Sequence, residues 1–259
     1  MKQLIALPAF SDNYVWMMHD GREALVVDPG EAAPVEQALR DRNLRLTTIL
    51  VTHHHGDHVG GLGALRHHGA TVHGPAGEAI DGLDVRHTER DTFSWQNMPI
   101  TVMDTPGHTR GHITYLLTGG MGGDDIDPIA FVGDTLFSGG CGRVFDGTMA
   151  QLHDSLTRLA ALPESTRLCA AHEYTLGNLR FAQAVEPDNP DLAAYVAHCS
   201  KRRAQGQPTL PTTVALERRV NPFLRCRVGA VVTSALAHGA HDDQPLSVFR
   251  ALREWKNTF

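Results

Sequence analysis

The sequence predicts an α/β fold in which a β-rich first part, residues 1–173, is followed by a smaller helical domain, residues 174–259. Short apolar runs of strand type dominate the first part, whereas helical runs separated by prolines dominate the second. In addition, four of the strand-like runs end in residues able to bind a metal ion. Strand ends are where α/β folds usually carry their chemistry.

The strand-like runs are short and rich in β-branched or aromatic residues, as expected of buried or half-buried strands. We expect strands at 3–7, 13–18, 24–28, 46–51, 70–73, 84–87, 92–95, 98–103, 113–117, 129–132 and 167–170. Helices are expected at 32–41, 58–68, 148–161, 175–185, 190–205, 212–218, 228–238 and 245–256. The segment 119–127, rich in glycine and aspartate, is expected to be a flexible loop.

Composition narrows the class of protein. The chain has 259 residues, 42% of them hydrophobic, so it can form a substantial core. A net charge of −6 provides no basic field for nucleic acid. The four cysteines show no CxxC spacing, which favours a reducing compartment. No signal peptide or membrane-spanning run is evident, so we expect a soluble cytoplasmic protein that contacts neither membrane nor nucleic acid.

The segment Thr52-His53-His54-His55-Gly56-Asp57-His58 is the most informative feature. It follows the apolar run 46–51 and places five metal-capable side chains around a turn. His53 and His55 lie two residues apart, so in an extended segment they point the same way and His54 points elsewhere. Asp57 and His58 follow the turn and can reach a second metal position. The alternative is a solvated histidine-rich turn.

Metal-capable residues at three later strand ends favour a metal site over that alternative. His108, Asp134 and His172 follow the strand-like runs 100–103, 129–132 and 167–170. His112 is four residues from His108, but nearby glycines argue against a regular helix there, so we expect a structural or supporting role for it. A zincin-type HExxH site is excluded because Leu176 stands where the second histidine would be.

The THxHxDH segment followed by these three residues resembles the metallo-β-lactamase superfamily. Five further segments are informative: PAFSDNY at 8–14, VDPG at 27–30, TPGHT at 105–109, GDTLFSGGCGR at 133–143 and AHEYT at 171–175. Together they narrow the resemblance to the glyoxalase II (hydroxyacylglutathione hydrolase) family. The resemblance implies an αββα sandwich, two mixed sheets flanked by helices, with a smaller helical domain that binds glutathione.

The resemblance also implies a binuclear metal centre. His53, His55 and His108 would hold one ion; Asp57, His58 and His172 would hold the other. Asp134 would bridge the two. Zinc is the expected metal, with iron or manganese as alternatives. Two adjacent ions lower the pKa of a bridging water and so supply hydroxide as nucleophile near neutral pH, and Asp57 could orient it.

The implied reaction is hydrolysis of S-D-lactoylglutathione to D-lactate and glutathione, the second step of methylglyoxal detoxification. A thiol of pKa about 8.5 can leave as thiolate without a strong general acid, which agrees with the lack of a G-x-S-x-G nucleophile motif. Substrate contacts implied by the resemblance are Arg143, Tyr174, Asn178, Arg253 and Lys256. Each has an ordinary structural or solvated alternative. We expect a monomer.

Other activities of the superfamily fit less well. A secreted β-lactamase would carry an export signal, and a nucleic-acid-processing enzyme would present a basic face. A sulfur dioxygenase would use one iron and lack some ligands of the second site. A non-catalytic metal-binding module would lack ligands, whereas all seven are present. The substitutions Gly56, Val144 and Phe145 relative to common family residues leave the preferred acyl group open.

Overall fold

A computed structural model describes residues 2–119 and 127–259, so most of the predicted loop at 119–127 lies outside the described residues. The chain forms two compact units. The first unit contains Met1–Asp104, Gly111–Gly133 and Cys169–His172; the second contains Thr105–Arg110, Asp134–Leu168 and Glu173–Phe259. The predicted domain boundary between residues 173 and 174 stays a prediction.

The helices and strands follow the predicted pattern closely. The strands are β1 (Gln3–Ala9), β2 (Asn13–His19), β3 (Glu23–Val27), β4 (Arg45–Leu50), β5 (Thr71–Pro75), β6 (Val85–His87), β7 (Thr92–Trp95), β8 (Met98–Asp104), β9 (Ile113–Leu117), β10 (Ile129–Gly133), β11 (Leu136–Phe137), β12 (Gly140–Cys141), β13 (Arg167–Ala170) and β14 (Thr212–Thr213). The helices are α1 (Ala32–Arg42), α2 (Gly56–Val59), α3 (Leu62–Leu65), α4 (Met149–Ala160), α5 (Thr175–Val185), α6 (Pro190–Ala204), α7 (Val214–Val220), α8 (Gly229–Ala237) and α9 (Pro245–Thr258). Short 3₁₀ turns occupy Arg66–His68 and Pro222–Leu224.

The first unit contains one mixed sheet in the order β1-β2-β3-β4-β5-β6. Its first three strands pair antiparallel, whereas β3 to β6 pair parallel. Strand β4 is buried along most of its length, which explains its continuous apolar run. Because β3 and β4 run parallel, the residues that follow them, Asp28 and Thr52, meet at the same edge of the sheet.

A second sheet in the first unit runs in the order β13-β10-β9-β8-β7. Its inner face meets the first sheet, since the Tyr115 hydroxyl of β9 donates to the Val51 carbonyl, 3.0 Å away, just after β4. The Ile113 amide likewise donates to the Thr52 carbonyl at 3.0 Å. These bonds bring the end of β4 and the start of β9 together.

The predicted helix at 58–68 is wrong as a single element. Helices α2 and α3 are separated at Gly60 and Gly61, where the chain passes very close to the loop after β3. A Cβ atom on Gly60 would lie 2.7 Å from the Gly30 carbonyl oxygen, and one on Gly61 would lie 2.4 Å from that of Pro29. Only glycine permits this approach, and the close approach interrupts the helix.

In the second unit, α5, α6 and α7 share an apolar cluster whose members are Leu179, Ala182, Leu192, Tyr195, Cys199 and Val220. Strand β14 pairs with the beginning of β13, at Arg167↔Thr213 and Leu168↔Thr212. The hairpin of β11 and β12 was not predicted, because two-residue strands leave no periodic signal. No helix among residues 2–119 and 127–259 has the length and apolar character needed to cross a membrane.

Candidate metal centre

The edge of the first sheet is organised by a buried carboxylate, Asp28. Its Oδ1 accepts the Thr52 amide at 2.7 Å and its Oδ2 accepts the Thr52 hydroxyl at 2.8 Å. Asp28 has a φ of 52°, a conformation that aspartate and asparagine tolerate better than most residues. These bonds fix the start of the histidine segment relative to β3.

The same bonds determine the tautomer of His53. The single hydroxyl proton of Thr52 is donated to Asp28, so the Thr52 oxygen can only accept from His53 Nδ1, which lies 3.0 Å away. The proton of neutral His53 therefore sits on Nδ1, and Nε2 carries the lone pair. That Nε2 lies 3.1 Å from His55 Nδ1, close to the ~3.3 Å between two ligands of a tetrahedral zinc ion.

Asp57, His58 and His172 form a group of potential ligand atoms that all lie within 4.8 Å of one another. Asp57 Oδ2 lies 3.5 Å from His58 Nε2 and 3.4 Å from His172 Nε2. On the far side of each ring, Asp28 Oδ2 is 3.2 Å from His58 Nδ1 and Asp12 Oδ1 is 2.8 Å from His172 Nδ1. A carboxylate beside Nδ1 holds a proton on that atom, which makes Nε2 the ring nitrogen that would bind a metal ion.

Asp57 is strongly biased towards its ionised form. Hydrogen bonding with His172 and His58 holds the pKa of the Asp57 carboxyl far below its usual range, although burial opposes the shift. The Asn13 amide also donates to Asp57 Oδ2 at 3.0 Å. An ionised carboxylate beside two imidazole nitrogens suits a divalent cation, which would take the place of the protons shared with the Nε2 atoms.

His54 and His112 have other surroundings. The backbone amide of His54 donates to Glu78 Oε2 at 2.7 Å, and its ring Nδ1 contacts the same oxygen. This contact agrees with the expectation that His54 points away from its two neighbours. His112 is fully buried, with its ring centroid 4.9 Å from that of His53.

The second unit contains His108 and Asp134, both buried. His108 Nδ1 lies 2.9 Å from the Arg143 carbonyl oxygen, which can only accept, so His108 also carries its proton on Nδ1. Its Nε2 is 3.5 Å from Asp134 Oδ2. A Cβ on Gly142 would lie 2.0 Å from the Asp134 carbonyl oxygen, so only glycine allows the loop to pass so close to this pair.

The five predicted substrate contacts divide into two sets. Arg143 is exposed and Tyr174 is 41% exposed, with its ring edge against Phe137. Both can reach a ligand from solvent. Lys256 lies 5.1 Å from the centre of the Phe181 ring, and burial, with a contribution from Arg253, lowers the pKa of Lys256 to about 8.

Asn178 and Arg253, in contrast, are buried and bonded to the loop around β12. The Asn178 amide donates to the Ser138 carbonyl at 3.1 Å. Arg253 Nη1 donates to the Cys141 carbonyl at 2.9 Å. These bonds give both side chains a role in holding the loop, and their contact with substrate stays a prediction.

Sequence reasoning missed several supporting residues. Glu217 is fully buried and accepts from Ser138, Gly139, Thr212 and Asn221, at 2.7–2.9 Å. It fixes the turn between β11 and β12. Asp12, Asn13 and Asp28 were also missed as supports of the metal-capable group. They lie in the segments 8–14 and 27–30, so the signal was present in the resemblance but had not been assigned a role.

Comparisons with known proteins agree with this picture. The model of the metallo-β-lactamase superfamily matches residues 9–172, and that of the hydroxyacylglutathione hydrolase C-terminus matches residues 173–259. A hydroxyacylglutathione hydrolase of Albidiferax ferrireducens is 52% identical, over 99% of this chain and 100% of its own. One of Cupriavidus metallidurans is 51% identical over 100% of both chains.

Solved structures show the same fold. The crystal structure of ETHE1 from Myxococcus xanthus has a TM-score of 0.63 and 27% identity, covering 100% of this chain and 99% of that one. A B3 metallo-β-lactamase, BLEG-1, also has a TM-score of 0.63, with 22% identity over 86% of this chain and 99% of its own. The predicted αββα fold class is confirmed. The chain belongs to the hydroxyacylglutathione hydrolase family of the metallo-β-lactamase superfamily.

Proposed function

We propose that this protein hydrolyses S-D-lactoylglutathione to D-lactate and glutathione, the second step of methylglyoxal detoxification. One observation carries the proposal. The group of Asp57, His58 and His172, oriented by carboxylates, occurs in a chain about half identical to hydroxyacylglutathione hydrolases over their full length.

The donor atoms fit divalent metal ions. Neutral imidazole nitrogens and ionised carboxylates suit zinc, and also iron and manganese. The proposed ligands are His53, His55, Asp57, His58, His108, Asp134 and His172, for two ions, with zinc in both positions. When bound, the ions would supply hydroxide near neutral pH and polarise the thioester carbonyl.

The proposed ligands are oriented in the folded chain before substrate binds. At His53, His58, His108 and His172 the group beside Nδ1 is suited to accept its proton, so Nε2 is the atom of each ring that would bind metal. Asp57 remains ionised, and we propose that its carboxylate orients the attacking hydroxide. Such preorganisation avoids rearrangement during the reaction.

The leaving group needs no general acid from the protein. Glutathione departs as a thiolate whose conjugate acid has a pKa of about 8.5, so no side chain has to protonate it. Positive charge must instead bind the carboxylates of the tripeptide. Arg143 and Lys256 are the proposed cationic contacts, and Tyr174 is the proposed aromatic one. Asn178 and Arg253 are proposed to contribute through the loop that they hold.

We further propose that the protein is a cytoplasmic monomer that acts on a small molecule and does not bind nucleic acid. The supports are the acidic net charge of −6 and the lack of CxxC spacing among the four cysteines, which are buried. A sedimentation measurement at micromolar concentration tests the monomer.

The decisive experiment is hydrolysis of S-D-lactoylglutathione by the purified chain, followed through loss of the thioester absorbance. A thioester of a non-glutathione thiol and a β-lactam serve as control substrates. Each is measured before chelation, after chelation, and after zinc is restored. Rapid, chelator-sensitive turnover of the glutathione thioester alone is expected. No turnover by the fully metal-loaded protein would overturn the proposed substrate.

A further inference from the structure

A second group of metal-capable side chains lies on the surface of the first unit, outside the residues described above. It consists of Glu36 on α1 and His67 and His68 in the 3₁₀ turn after α3. One ligand atom of each residue lies within 4.8 Å of the other two. Glu36 and His68 are each 22% exposed, whereas His67 is 64% exposed. The group is accessible to an ion from solvent yet partly shielded.

The two imidazoles converge on one oxygen atom. Glu36 Oε1 lies 3.0 Å from His68 Nε2 and 3.5 Å from His67 Nε2. Zinc bonds of about 2.0–2.1 Å in tetrahedral geometry place neighbouring ligand atoms about 3.3 Å apart. The two observed separations lie on either side of that value.

The tautomer of His67 directs a lone pair at the Glu36 carboxylate. His67 Nδ1 lies 2.8 Å from the Ala64 carbonyl oxygen, which can only accept, so the ring donates there. The Nε2 of neutral His67 therefore presents a lone pair to the lone pairs of Glu36 Oε1. Two acceptors facing each other are unfavourable unless a proton or a cation lies between them.

Neighbouring groups hold the carboxylate in this position. Arg40, one helical turn along α1, places Nη1 3.8 Å from Glu36 Oε2, which leaves Oε1 directed at the histidines. The rings of His67 and His68 lie 4.1 Å apart and 36° from parallel. Their arrangement is thus constrained before any ion binds, which lowers the entropy lost on binding.

We propose that Glu36, His67 and His68 form a peripheral site for a divalent transition-metal ion of the zinc class, separate from the seven proposed active-site ligands. Two imidazoles and one carboxylate suit zinc, with copper and nickel as stronger competitors in vitro. The ion would join α1 to the turn that follows α3, and water would complete its coordination.

The probe is zinc alone, measured by equilibrium dialysis against the full chain carrying its own metals, at pH 7.5. We compare wild type with His68→Ala and Glu36→Gln. The matched control is His241→Ala, an exposed histidine of the second unit. Wild type and the control should bind one more zinc ion than the two variants do, or bind it at least about tenfold more tightly.

A second readout guards against a folding defect. Zinc above its Kd should raise the Tm of wild type and of His241→Ala and leave that of Glu36→Gln unchanged, because only a site present in the folded state stabilises it. Equal zinc stoichiometry and affinity in wild type and both variants would overturn the proposal. Thioester hydrolysis plays no part in this test, so its outcome is independent of the proposed activity.

Discussion

Two pairs of histidines in the first unit differ in the groups that surround their rings, and this difference determines whether an imidazole is suited to bind a metal ion. His58 and His172 each have a carboxylate beside Nδ1, at 3.2 Å and 2.8 Å. His73 and His87 contact each other, Nδ1 to Nε2, at 2.9 Å, and the carboxylate nearest to His87 Nδ1, that of Asp91, is 3.7 Å away. Their rings stack within 7° of parallel, and both stack on Phe93.

The difference in surroundings produces opposite chemistry. Carboxylates fix the tautomer of the first pair and surround it with negative charge, which favours a bound cation. Burial, with a contribution from the charge of His87, lowers the pKa of His73 from 6.5 to about 4. The stacked pair is therefore neutral and structural near pH 7.

The largest effect is expected from Asp57→Asn. The change removes the negative charge between His58 and His172 while keeping the shape of the side chain. Loss of an oriented ionised group should lower kcat for thioester hydrolysis by about 10²- to 10⁴-fold. The measurement is steady-state hydrolysis, with bound metal determined by elemental analysis.

His73→Gln is the matched control for Asp57→Asn, since it alters a histidine of the same unit that has no proposed ligand role. It should retain kcat within about twofold. Full turnover by Asp57→Asn with both metals present would remove Asp57 from the proposed mechanism. A large loss in His73→Gln at an unchanged metal content would break the contrast between the two pairs.

The next largest effect is expected at Asp28, whose carboxylate lies 3.2 Å from His58 Nδ1. Asp28→Asn keeps a residue type that tolerates a φ of 52°, but it removes the negative charge and one of two acceptors for Thr52. Loss of such a supporting partner typically costs about 10- to 100-fold in metal affinity or activity. Competition with a chromophoric chelator measures the affinity.

Asp41→Asn is the control for Asp28→Asn, because Asp41 is exposed on α1 and its recorded partner is Gln37. Its metal affinity should equal that of wild type. If Asp28→Asn binds metal as tightly as wild type, the carboxylate does not orient His58, and the contrast with the stacked pair loses its physical basis.

The sequence allowed prediction of what is local. Strand bounds were close because each strand alternates or runs apolar over its own length, and His53, His55, Asp57 and His58 share one short motif. The carboxylate supports were missed because they lie far away in sequence. Asp28 bonds Thr52 across 24 positions, and Asp12 bonds His172 across 160. No local pattern specifies such pairs.

The same limit explains the two other differences. The break between α2 and α3 arises from the approach of Gly30 and Pro29, which no periodicity within 58–68 reveals. Arg253 was predicted to contact substrate, with a structural or solvated role as the alternative, and its side chain is 2% exposed. Helical spacing identifies a shared face but not what covers it, and here the loop carrying Cys141 does.

A smaller effect is expected from Asp12→Asn. Its side chain is 37% exposed, so solvent screens its charge, and the asparagine oxygen can still accept from His172 Nδ1. An exposed ion pair contributes about 0.2–1 kcal/mol, which corresponds to a loss of metal affinity of about 1.4- to fivefold. The same chelator competition applies. A loss as large as that of Asp28→Asn would show that burial does not determine how much a carboxylate beside a ligand histidine contributes to metal affinity.

The smallest effect is a change in the pH dependence of stability in His73→Phe, which keeps an aromatic ring against Phe93 and removes the titrating group. Because the pKa of His73 is about 4 in the folded chain and 6.5 when unperturbed, the unfolded state binds more protons between those values. His73 therefore contributes stability that is complete above pH 6.5 and is lost as the pH falls towards 4.

Urea unfolding at pH 7 and pH 5 should show a smaller decrease in the free energy of unfolding for His73→Phe than for wild type. Equal decreases in the two proteins would mean that His73 accepts a proton as easily folded as unfolded, and that the stacked pair does not exclude charge.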